Sequence, residues 1–235
     1  MLMCGRFGIS TDIEELQECF VFDSSSVDYV KRYNIAPSNS VLTYGAQGPR
    51  TAEYMRWGLI PSWSKPNNTA APHAHKRTLA INARAETLAT NGMFRGPFKS
   101  KRCIVLSDGF YEWRKNENAT TTPLRIGMSD WKPFGMAGLW DAWEGPNGVI
   151  HSCTIITTTP NDLTVTVHGR MPVILPFESH EEWLSSSQHD TDALSRLLTA
   201  YPANAMAMYE ISPAIGAVKN DTPGLLQPLT QSKLL

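Results

Sequence analysis

Apolar residues along this chain recur mostly in short runs typical of β-strands, and only briefly at helical spacing. Ile13, Leu16 and Phe20 share one face of a predicted first helix, which Thr11-Asp12-Ile13-Glu14 opens as a capping box. Runs rich in β-branched and aromatic residues predict the strands 41–44, 51–57, 102–106, 110–114, 124–127, 134–139, 153–158 and 206–211. Further short helices are predicted from Pro160, from Ser179 and over 191–198.

These elements predict an α+β fold in a single domain spanning residues 1–235. We expect mainly antiparallel strands that curl into a barrel-like core, with flanking helices outside. Ser107-Asp108-Gly109 lies between two strand runs and predicts a hairpin turn. The tail from Thr222 to Leu235 is expected to be frayed.

The composition is typical of a soluble globular protein that does not enter a membrane. The chain has 235 residues, of which 42% are hydrophobic and 18% charged, and no apolar run is long enough to cross a bilayer. The first residues lack the features of a signal peptide. Four dispersed cysteines include no C-x-x-C pair, which argues against a zinc site or a disulfide framework. We therefore expect a monomer in a reducing, intracellular compartment.

The net charge of −1 does not indicate a nucleic-acid-binding protein. Such binding would need a local basic patch, for which Arg95, Lys99, Lys101 and Arg102 are candidates; the alternative is an ordinary solvated surface. Residues 65–77 form a predicted surface insertion that carries His73-Ala74-His75. Because no third ligand accompanies these histidines, neither a metal nor a cofactor is expected.

The segment Trp57-Gly58-Leu59-Ile60-Pro61-Ser62-Trp63 places glycine and proline between two tryptophans. Glycine and proline break regular structure, so the segment is predicted to be a loop. Two large aromatic side chains in a loop favour a binding surface, since they are costly to expose without use. The alternative is a plug of the core beneath a long loop.

Cys4 stands close enough to an initiating methionine to become the first residue of a mature chain. It would then carry an α-amine and a thiol on adjacent carbons, with pKa values of about 8 and about 8.5. The amine can condense with an aldehyde to an imine, and the thiol can close a thiazolidine ring intramolecularly. The alternative is a small apolar residue in a first strand.

Three other places carry candidate polar chemistry. Asn82, Arg84 and Glu86 alternate, so they share one face of an extended segment, either as a functional cluster or as a structural network. Glu112 lies between two bulky aromatic residues, where its pKa should be raised; the alternative is an ion pair with a neighbour on its strand. His168, beside Gly169 in a loop after a predicted helix, is a candidate acid or base.

Taken together and in order, four motifs closely resemble the SOS-response-associated peptidase family, often called the SRAP domain. They are Cys4-Gly5-Arg6-Phe7, Tyr33-Asn34-Ile35-Ala36-Pro37, Ile81-Asn82-Ala83-Arg84-Ala85-Glu86 with Phe110-Tyr111-Glu112-Trp113, and His168-Gly169-Arg170-Met171-Pro172. Trp57-Gly58-Leu59-Ile60-Pro61 and Val218-Lys219-Asn220 also fit. The resemblance implies a DNA repair protein that senses abasic sites in single-stranded DNA and shields them by a covalent crosslink, with lyase and self-peptidase activity as further implied activities.

The resemblance also implies roles for four catalytic residues. Cys4 would be the nucleophile and thiazolidine former, and Asn82 would orient the amine or the sugar. Glu112 would assist proton transfer as the imine forms. His168 would act as acid and base on the sugar hydroxyl during ring opening and slow reversal.

A second set of residues would contact the DNA if the resemblance holds. Arg6, Arg84 and Arg170 would hold phosphates, because the guanidinium pairs with phosphate in a bidentate manner. The groove and its stacking surfaces would come from Asn34, Pro37, Trp63 and Trp113, and Glu86 is grouped with these DNA-contacting residues.

The chain departs from the family at its start, where Met1-Leu2 precede Met3. Family members begin Met-Cys, so Cys4 would become free only if translation begins at Met3 or if self-processing removes residues 1–3. Otherwise the chain as written is inactive. Two other functions remain open: a cysteine peptidase with Cys4, His168 and Glu112, or a non-covalent binding module for single-stranded nucleic acid.

Overall fold

Runs of β-branched and aromatic residues form most of the regular structure, as their preference for pleated surfaces predicts. The structure is a computed structural model, which describes residues 4–25, 27–46, 48, 51–65 and 80–229. Its strands are β1 (Phe7–Ile9), β2 (Arg32–Ile35), β3 (Ser40–Tyr44), β4 (Ala52–Trp57), β5 (Asn82–Arg84), β6 (Arg102–Ser107), β7 (Gly109–Lys115), β8 (Thr121–Met128), β9 (Phe134–Gly145), β10 (Gly148–Thr158), β11 (Met171–Pro172), β12 (Ile174–Leu175) and β13 (Met206–Glu210). Its α-helices are α1 (Ile13–Phe20), α2 (Arg95–Ser100), α3 (His180–Leu184) and α4 (Thr191–Arg196).

Five of these strands close into a barrel. β4 pairs with β3, β3 with β6, β6 with β9 and β9 with β10, all antiparallel, and a parallel pair between β10 and β4 completes the ring. Gly138 of β9 lies opposite both Cys103 and Ile155, and a Cβ atom there would approach the Cys103 sulfur to 2.9 Å. The predicted α+β class and barrel-like core are therefore confirmed.

A second antiparallel sheet packs against the barrel in the order β13-β8-β7-β1-β2. The rings of Phe7 on β1 and Trp57 on β4 meet edge to face at 5.0 Å between their centroids. Both side chains are fully buried, so they join the two sheets in one apolar core. β5 extends the barrel sheet by pairing in parallel with β10.

The predicted hairpin at Ser107-Asp108-Gly109 is wrong. β6 pairs with β3 and β9 in the barrel, whereas β7 pairs with β1 and β8 in the second sheet. At the junction, buried Asp108 accepts hydrogen bonds from the backbone of Ser10 and Thr11 and from Arg125. The chain therefore crosses from one sheet to the other here, because this carboxylate holds it against the start of α1.

The apolar face of α1 is confirmed, since Leu16 and Phe20 are buried. The predicted capping box does not form. The Thr11 hydroxyl donates to Asp108 at 3.1 Å, and Asp12, the N-cap residue of the helix, makes no side-chain capping hydrogen bond. The tertiary contact with Asp108 has replaced the local one.

The prediction of a frayed tail is wrong for residues 222–229. Residues Pro223–Leu226 form a 3₁₀ turn, Leu225 is buried, and Pro228 pairs with Ile211. Apolar burial thus holds this segment against the second sheet, while residues 230–235 lie outside the described part of the chain. In the described ranges, no helix is long and apolar enough to cross a membrane.

Candidate active site

Cys4 lies shortly before β1, a strand of the second sheet. β1 pairs with β7 with Phe7 opposite Phe110, and this register brings the start of the described chain beside Glu112. The Cys4 backbone nitrogen donates to Glu112 Oε1 at 2.8 Å. Cys4 is 1% exposed, and its φ of +37° is unusual for a residue with a side chain. The strand register, rather than proximity in the sequence, therefore builds this contact.

Glu112 is a buried carboxyl, 2% exposed, in the middle of β7. Burial raises its pKa, although the hydrogen bond from Cys4 and the nearby His168 act in the opposite direction. The alternative of an ion pair on its own strand is wrong, because Arg114 pairs with Glu210. The raised pKa that the aromatic neighbours predicted is confirmed, so this carboxyl holds its proton more readily than an exposed glutamate does.

The Cys4 thiol shares this apolar environment. Burial, and then the charge of Glu112, raises its pKa well above the ordinary value. The thiol therefore stays protonated at neutral pH and needs a base before it can act as a thiolate nucleophile.

His168 lies in the loop that follows the 3₁₀ turn Thr164–Thr166, where a short helix was predicted. Its Nδ1 accepts a hydrogen bond from the backbone N–H of Arg170 at 3.1 Å. A positive charge on its ring would lower the pKa of the Glu112 carboxyl. The fold thus brings His168 into the electrostatic neighbourhood of Glu112.

The alternating residues of the 82–86 segment divide between different environments. Asn82 is half-buried on β5 opposite Ile155, and Arg84 is exposed opposite Thr157. Glu86 follows in the 3₁₀ turn Ala85–Thr87 and forms a bidentate ion pair with Arg170. Glu86 and Arg170 are therefore bound to each other. The DNA contacts predicted for both residues remain predictions.

Asn34 differs from the expectation that it lines a groove, because its side chain is completely buried. Its amide donates to the carbonyls of Ile215, Ala217 and Asn220, and its Oδ1 accepts from Arg6 at 2.6 Å. The Asn34 side chain thus links β2 to the C-terminal segment through hydrogen bonds.

Arg6 is partly buried beside the Asn34 side chain. Its guanidinium also donates to the Ile215 and Gly216 carbonyls at 2.9 and 3.0 Å, and burial lowers its pKa. These contacts fix the direction of the guanidinium before any ligand arrives.

The predicted loop 57–63 begins one residue later, because Trp57 is the last residue of β4, and its two tryptophans differ in burial. Trp57 is fully buried in the core, whereas Trp63 is 67% exposed. The Ile60 nitrogen donates to Ser152 and the Ser62 nitrogen to Asp141, at 2.8 and 2.7 Å. These two hydrogen bonds therefore fix the backbone of the loop that carries the exposed Trp63 ring. Two other expected contact residues, Pro37 after β2 and Trp113 on β7, are half-buried.

The predicted basic patch does not form as one surface. Arg102 is buried and donates to backbone carbonyls, including those of Trp183 and Phe98. Lys101 pairs with Asp141, while Arg95 and Lys99 are exposed. A cleft of about 270 Å³ lies between Trp63 and α2, lined by Arg95 and Lys101 among others. The role of Arg102 is to join α2 to the segment after α3.

Cys19, Cys103 and Cys153 are free thiols like Cys4. Within the described ranges, no group of three histidine, cysteine or acidic side chains could hold a metal ion. His73 and His75 lie outside those ranges, as does most of the predicted surface insertion.

Two contributors to the site were missed from the sequence. The Thr157 carbonyl accepts from Arg170 at 2.6 Å, and Asp221 accepts from the backbone of Tyr33 and Asn34. Carbonyl contacts leave no mark on residue type, so Thr157 had no sequence signal. Asp221 directly follows the motif Val218-Lys219-Asn220, which was the available signal for the C-terminal segment.

Known proteins resemble this chain over most of its length. The profile of a family described as SOS response associated peptidase (SRAP) matches residues 3–218. Abasic site processing protein YoqW of Bacillus subtilis (strain 168) is 40% identical over 229 residues, which are 96% of this chain and 99% of that protein. Abasic site processing protein HMCES of Gallus gallus is 33% identical over 196 residues, 74% of this chain and 56% of that protein. An X-ray structure of a Bacteroides thetaiotaomicron protein superposes with a TM-score of 0.85 at 28% identity, covering 97% of this chain and all of that one.

Proposed function

Because this chain belongs to the SOS response associated peptidase (SRAP) family, we propose that it processes abasic sites in single-stranded DNA through a covalent bond to Cys4. Relatives that match nearly its whole length are named abasic site processing proteins. The observation that carries the proposal is the 2.8 Å hydrogen bond between the Cys4 nitrogen and Glu112. In a chain beginning at Cys4, this nitrogen is the α-amine, already held by a buried acid.

The reaction begins with the ring-opened aldehyde of the abasic sugar. The amine of Cys4 attacks the aldehyde carbon, and loss of one water gives an imine. Glu112, whose pKa burial raises, donates the proton to the departing hydroxyl and accepts the proton that the nitrogen releases. The thiol then adds to the imine carbon while its proton passes to the nitrogen, which closes the thiazolidine ring.

Ring closure is the protective step. An open imine can decay by β-elimination and cut the strand, whereas the thiazolidine has no such route. The high thiol pKa in this buried site calls for a base at the moment of attack, and the carboxylate of Glu112, which accepts a hydrogen bond from the Cys4 nitrogen, is suited to that role. His168 acts as acid and base on the sugar hydroxyl, and Asn82 orients the amine or the sugar.

Single-stranded DNA would be held mainly through its backbone and by stacking. Arg84 is exposed beside β10, and Arg6 is oriented by Asn34, so both suit phosphate contacts. Trp63 offers an exposed ring for a base. A covalent bond makes a net charge of −1 tolerable, since the complex does not depend on electrostatic affinity alone. An intracellular location and a monomeric state agree with this function.

Self-processing is a second candidate activity. The Cys4 N–H belongs to the peptide bond that must break to free the amine, and it is hydrogen-bonded to Glu112 at a residue with φ of +37°. The thiol of Cys4 would attack the carbonyl of residue 3 and form a thioester, and Glu112 would protonate the leaving nitrogen. Water would then release residues 1–3 and regenerate the thiol.

Intact mass spectrometry tests the main proposal. The protein beginning at Cys4 is incubated with a single-stranded oligonucleotide that contains one abasic site, then denatured. We expect an adduct whose mass is the sum of the two molecules minus one water. Cys4→Ala should abolish the stable adduct, whereas Cys19→Ala should leave it unchanged. No adduct from a chain with a free Cys4 would refute the crosslinking function.

The same instrument tests self-processing on the chain that begins at Met1. We expect the mass of residues 1–3 to be lost over time, and Cys4→Ala to retain it. Equal loss in the two proteins would refute processing by Cys4.

A further inference from the structure

Arg170 joins three separate parts of the site through one guanidinium. Its Nη1 and Nη2 donate to the two carboxylate oxygens of Glu86 at 2.5 and 2.9 Å. Nη2 also donates to the Thr157 carbonyl of β10 at 2.6 Å. The Arg170 side chain is 15% exposed and the Glu86 side chain 47%, so this bidentate pair is shielded from solvent on the Arg170 side and open to it on the Glu86 side. The 3₁₀ turn after β5, the edge of β10 and the 168–170 loop are thereby held together.

The backbone of the same residue determines the tautomer of His168. The Arg170 N–H points at His168 Nδ1 at 3.1 Å, and a backbone N–H can only donate. Nδ1 must therefore be the acceptor, and the proton of the neutral ring lies on Nε2. The Arg170 carbonyl, 3.3 Å from Nδ1, is then a close neighbour and receives no hydrogen from the neutral ring.

We propose that Glu86 is a positioning residue for His168. By holding the Arg170 side chain, Glu86 keeps the 168–170 loop in the conformation in which the neutral imidazole carries its proton on Nε2. In this tautomer the neutral His168 ring offers its Nε2–H as a hydrogen-bond donor to the sugar of the bound strand. This inference rests on the proposed function for its chemical meaning, although the tautomer itself is a property of the free protein.

The charges of the pair support this arrangement. The hydrogen bond from Arg170 lowers the pKa of Glu86, so the carboxylate stays ionised at neutral pH and the pair persists. Removing the carboxylate would leave the guanidinium with the Thr157 contacts alone. The loop would then lose its link to the turn after β5, and the Arg170 N–H would no longer be aimed at Nδ1.

NMR of the free protein tests the tautomer. Protein labelled with ¹⁵N in its histidines gives imidazole spectra that distinguish protonated from unprotonated ring nitrogens, and His168→Gln identifies the signal. We expect Nε2–H in the wild type, a mixture of tautomers in Glu86→Ala and an intermediate result in Glu86→Gln, which keeps one acceptor oxygen. Asp12→Asn, which removes the surface pair of Asp12 with Lys31, is the matched control and should match the wild type. A wild-type spectrum in Glu86→Ala would overturn the proposal.

Kinetics test the consequence for the reaction. At saturating abasic-site oligonucleotide, Glu86→Ala should slow adduct formation about tenfold or more, because a displaced catalytic group loses its alignment. Glu86→Gln should keep part of the wild-type rate. Asp12→Asn, which leaves the Glu86–Arg170 pair in place, should react at the wild-type rate. A normal rate in Glu86→Ala would overturn the role of the pair. If the wild type forms no adduct, the proposed function fails, and the NMR spectra alone decide whether Glu86 positions His168.

Discussion

Two carboxyl groups of the site are shifted in opposite directions by their surroundings. Burial in β7 raises the pKa of Glu112, whereas the guanidinium of Arg170 lowers that of Glu86. Such a separation makes Glu112 the more readily protonated of the two carboxyls and keeps Glu86 ionised. Two residues of the same type therefore differ in ionisation here because of their contacts, which their residue type does not indicate.

Replacing Glu112 by glutamine tests proton transfer at this scale. The amide of Glu112→Gln would keep a hydrogen-bond acceptor for the Cys4 nitrogen but could not exchange a proton, so we expect adduct formation to slow about 100-fold. The measurement is the single-turnover rate of adduct formation with an abasic-site oligonucleotide. The affinity for the same strand without the lesion is measured in parallel. Glu117→Gln, on the exposed turn after β7, should react at the wild-type rate. A wild-type rate in Glu112→Gln would exclude Glu112 as the acid.

At the scale of elements, the junction between β6 and β7 determines how the site is assembled. The strand patterns of both were predicted, but the turn between them was assigned to a hairpin. Instead, Asp108 holds the junction against the start of α1, and β7 pairs with β1. That pairing is what brings Cys4 to Glu112. The boundaries of strands follow from local residue preference, whereas their partners depend on contacts with residues about 100 positions away.

Replacing Asp108 by asparagine should destabilise this junction. The buried carboxylate accepts from Arg125 and from the backbone of Ser10 and Thr11, and the substitution would leave Arg125 without its counter-charge. Breaking a buried pair in this way costs about 3 kcal/mol. Urea denaturation would measure the change in the free energy of unfolding. Asp162→Asn, at an exposed position, should change it by less than about 0.5 kcal/mol.

At the scale of the whole molecule, one buried histidine joins the outer helices to the barrel. His180 of α3 accepts a hydrogen bond from the Tyr44 hydroxyl of β3 at Nδ1 and donates from Nε2 to the Leu175 carbonyl, at 2.5 and 3.1 Å. Phe20 of α1 stacks on the same imidazole. Both ring nitrogens are used by the neutral form, so the packing of the molecule depends on an uncharged His180.

This contact predicts a loss of stability in acid. Burial lowers the pKa of His180 below its usual 6.5, so the unfolded chain binds a proton more readily than the folded one. The free energy of unfolding should therefore fall as the pH drops below about 6.5 towards the folded-state pKa. Urea denaturation at pH 7.5 and 5.5 would measure this, and His180→Gln should show a smaller decrease. His189→Gln, on the surface, should keep the wild-type decrease; an unchanged decrease in His180→Gln would contradict the prediction.

The sequence by itself determined the class of fold, most strand positions and the identities of the candidate catalytic residues. Alternating and β-branched runs mark strands because the pleat has a period of two. Cys4, Glu112 and His168 stood out because their chemistry, or their immediate neighbours, were unusual. The ordered motifs were sufficient to indicate the family, because a set of short patterns in one order is far more specific than any one of them.

Tertiary structure alone decided which of these residues meet and what each polar group does. Asn34 and Arg102 were expected at or near a surface, but both are buried. The Asn34 amide and the Arg102 guanidinium donate hydrogen bonds to backbone carbonyls of distant segments. Glu86 pairs with Arg170, 84 positions away in the sequence, and the Cys4 nitrogen donates to Glu112, 108 positions away. Local patterns reflect backbone preference and burial over a few residues, whereas these contacts depend on the register of strands that only the closed barrel and its second sheet bring together.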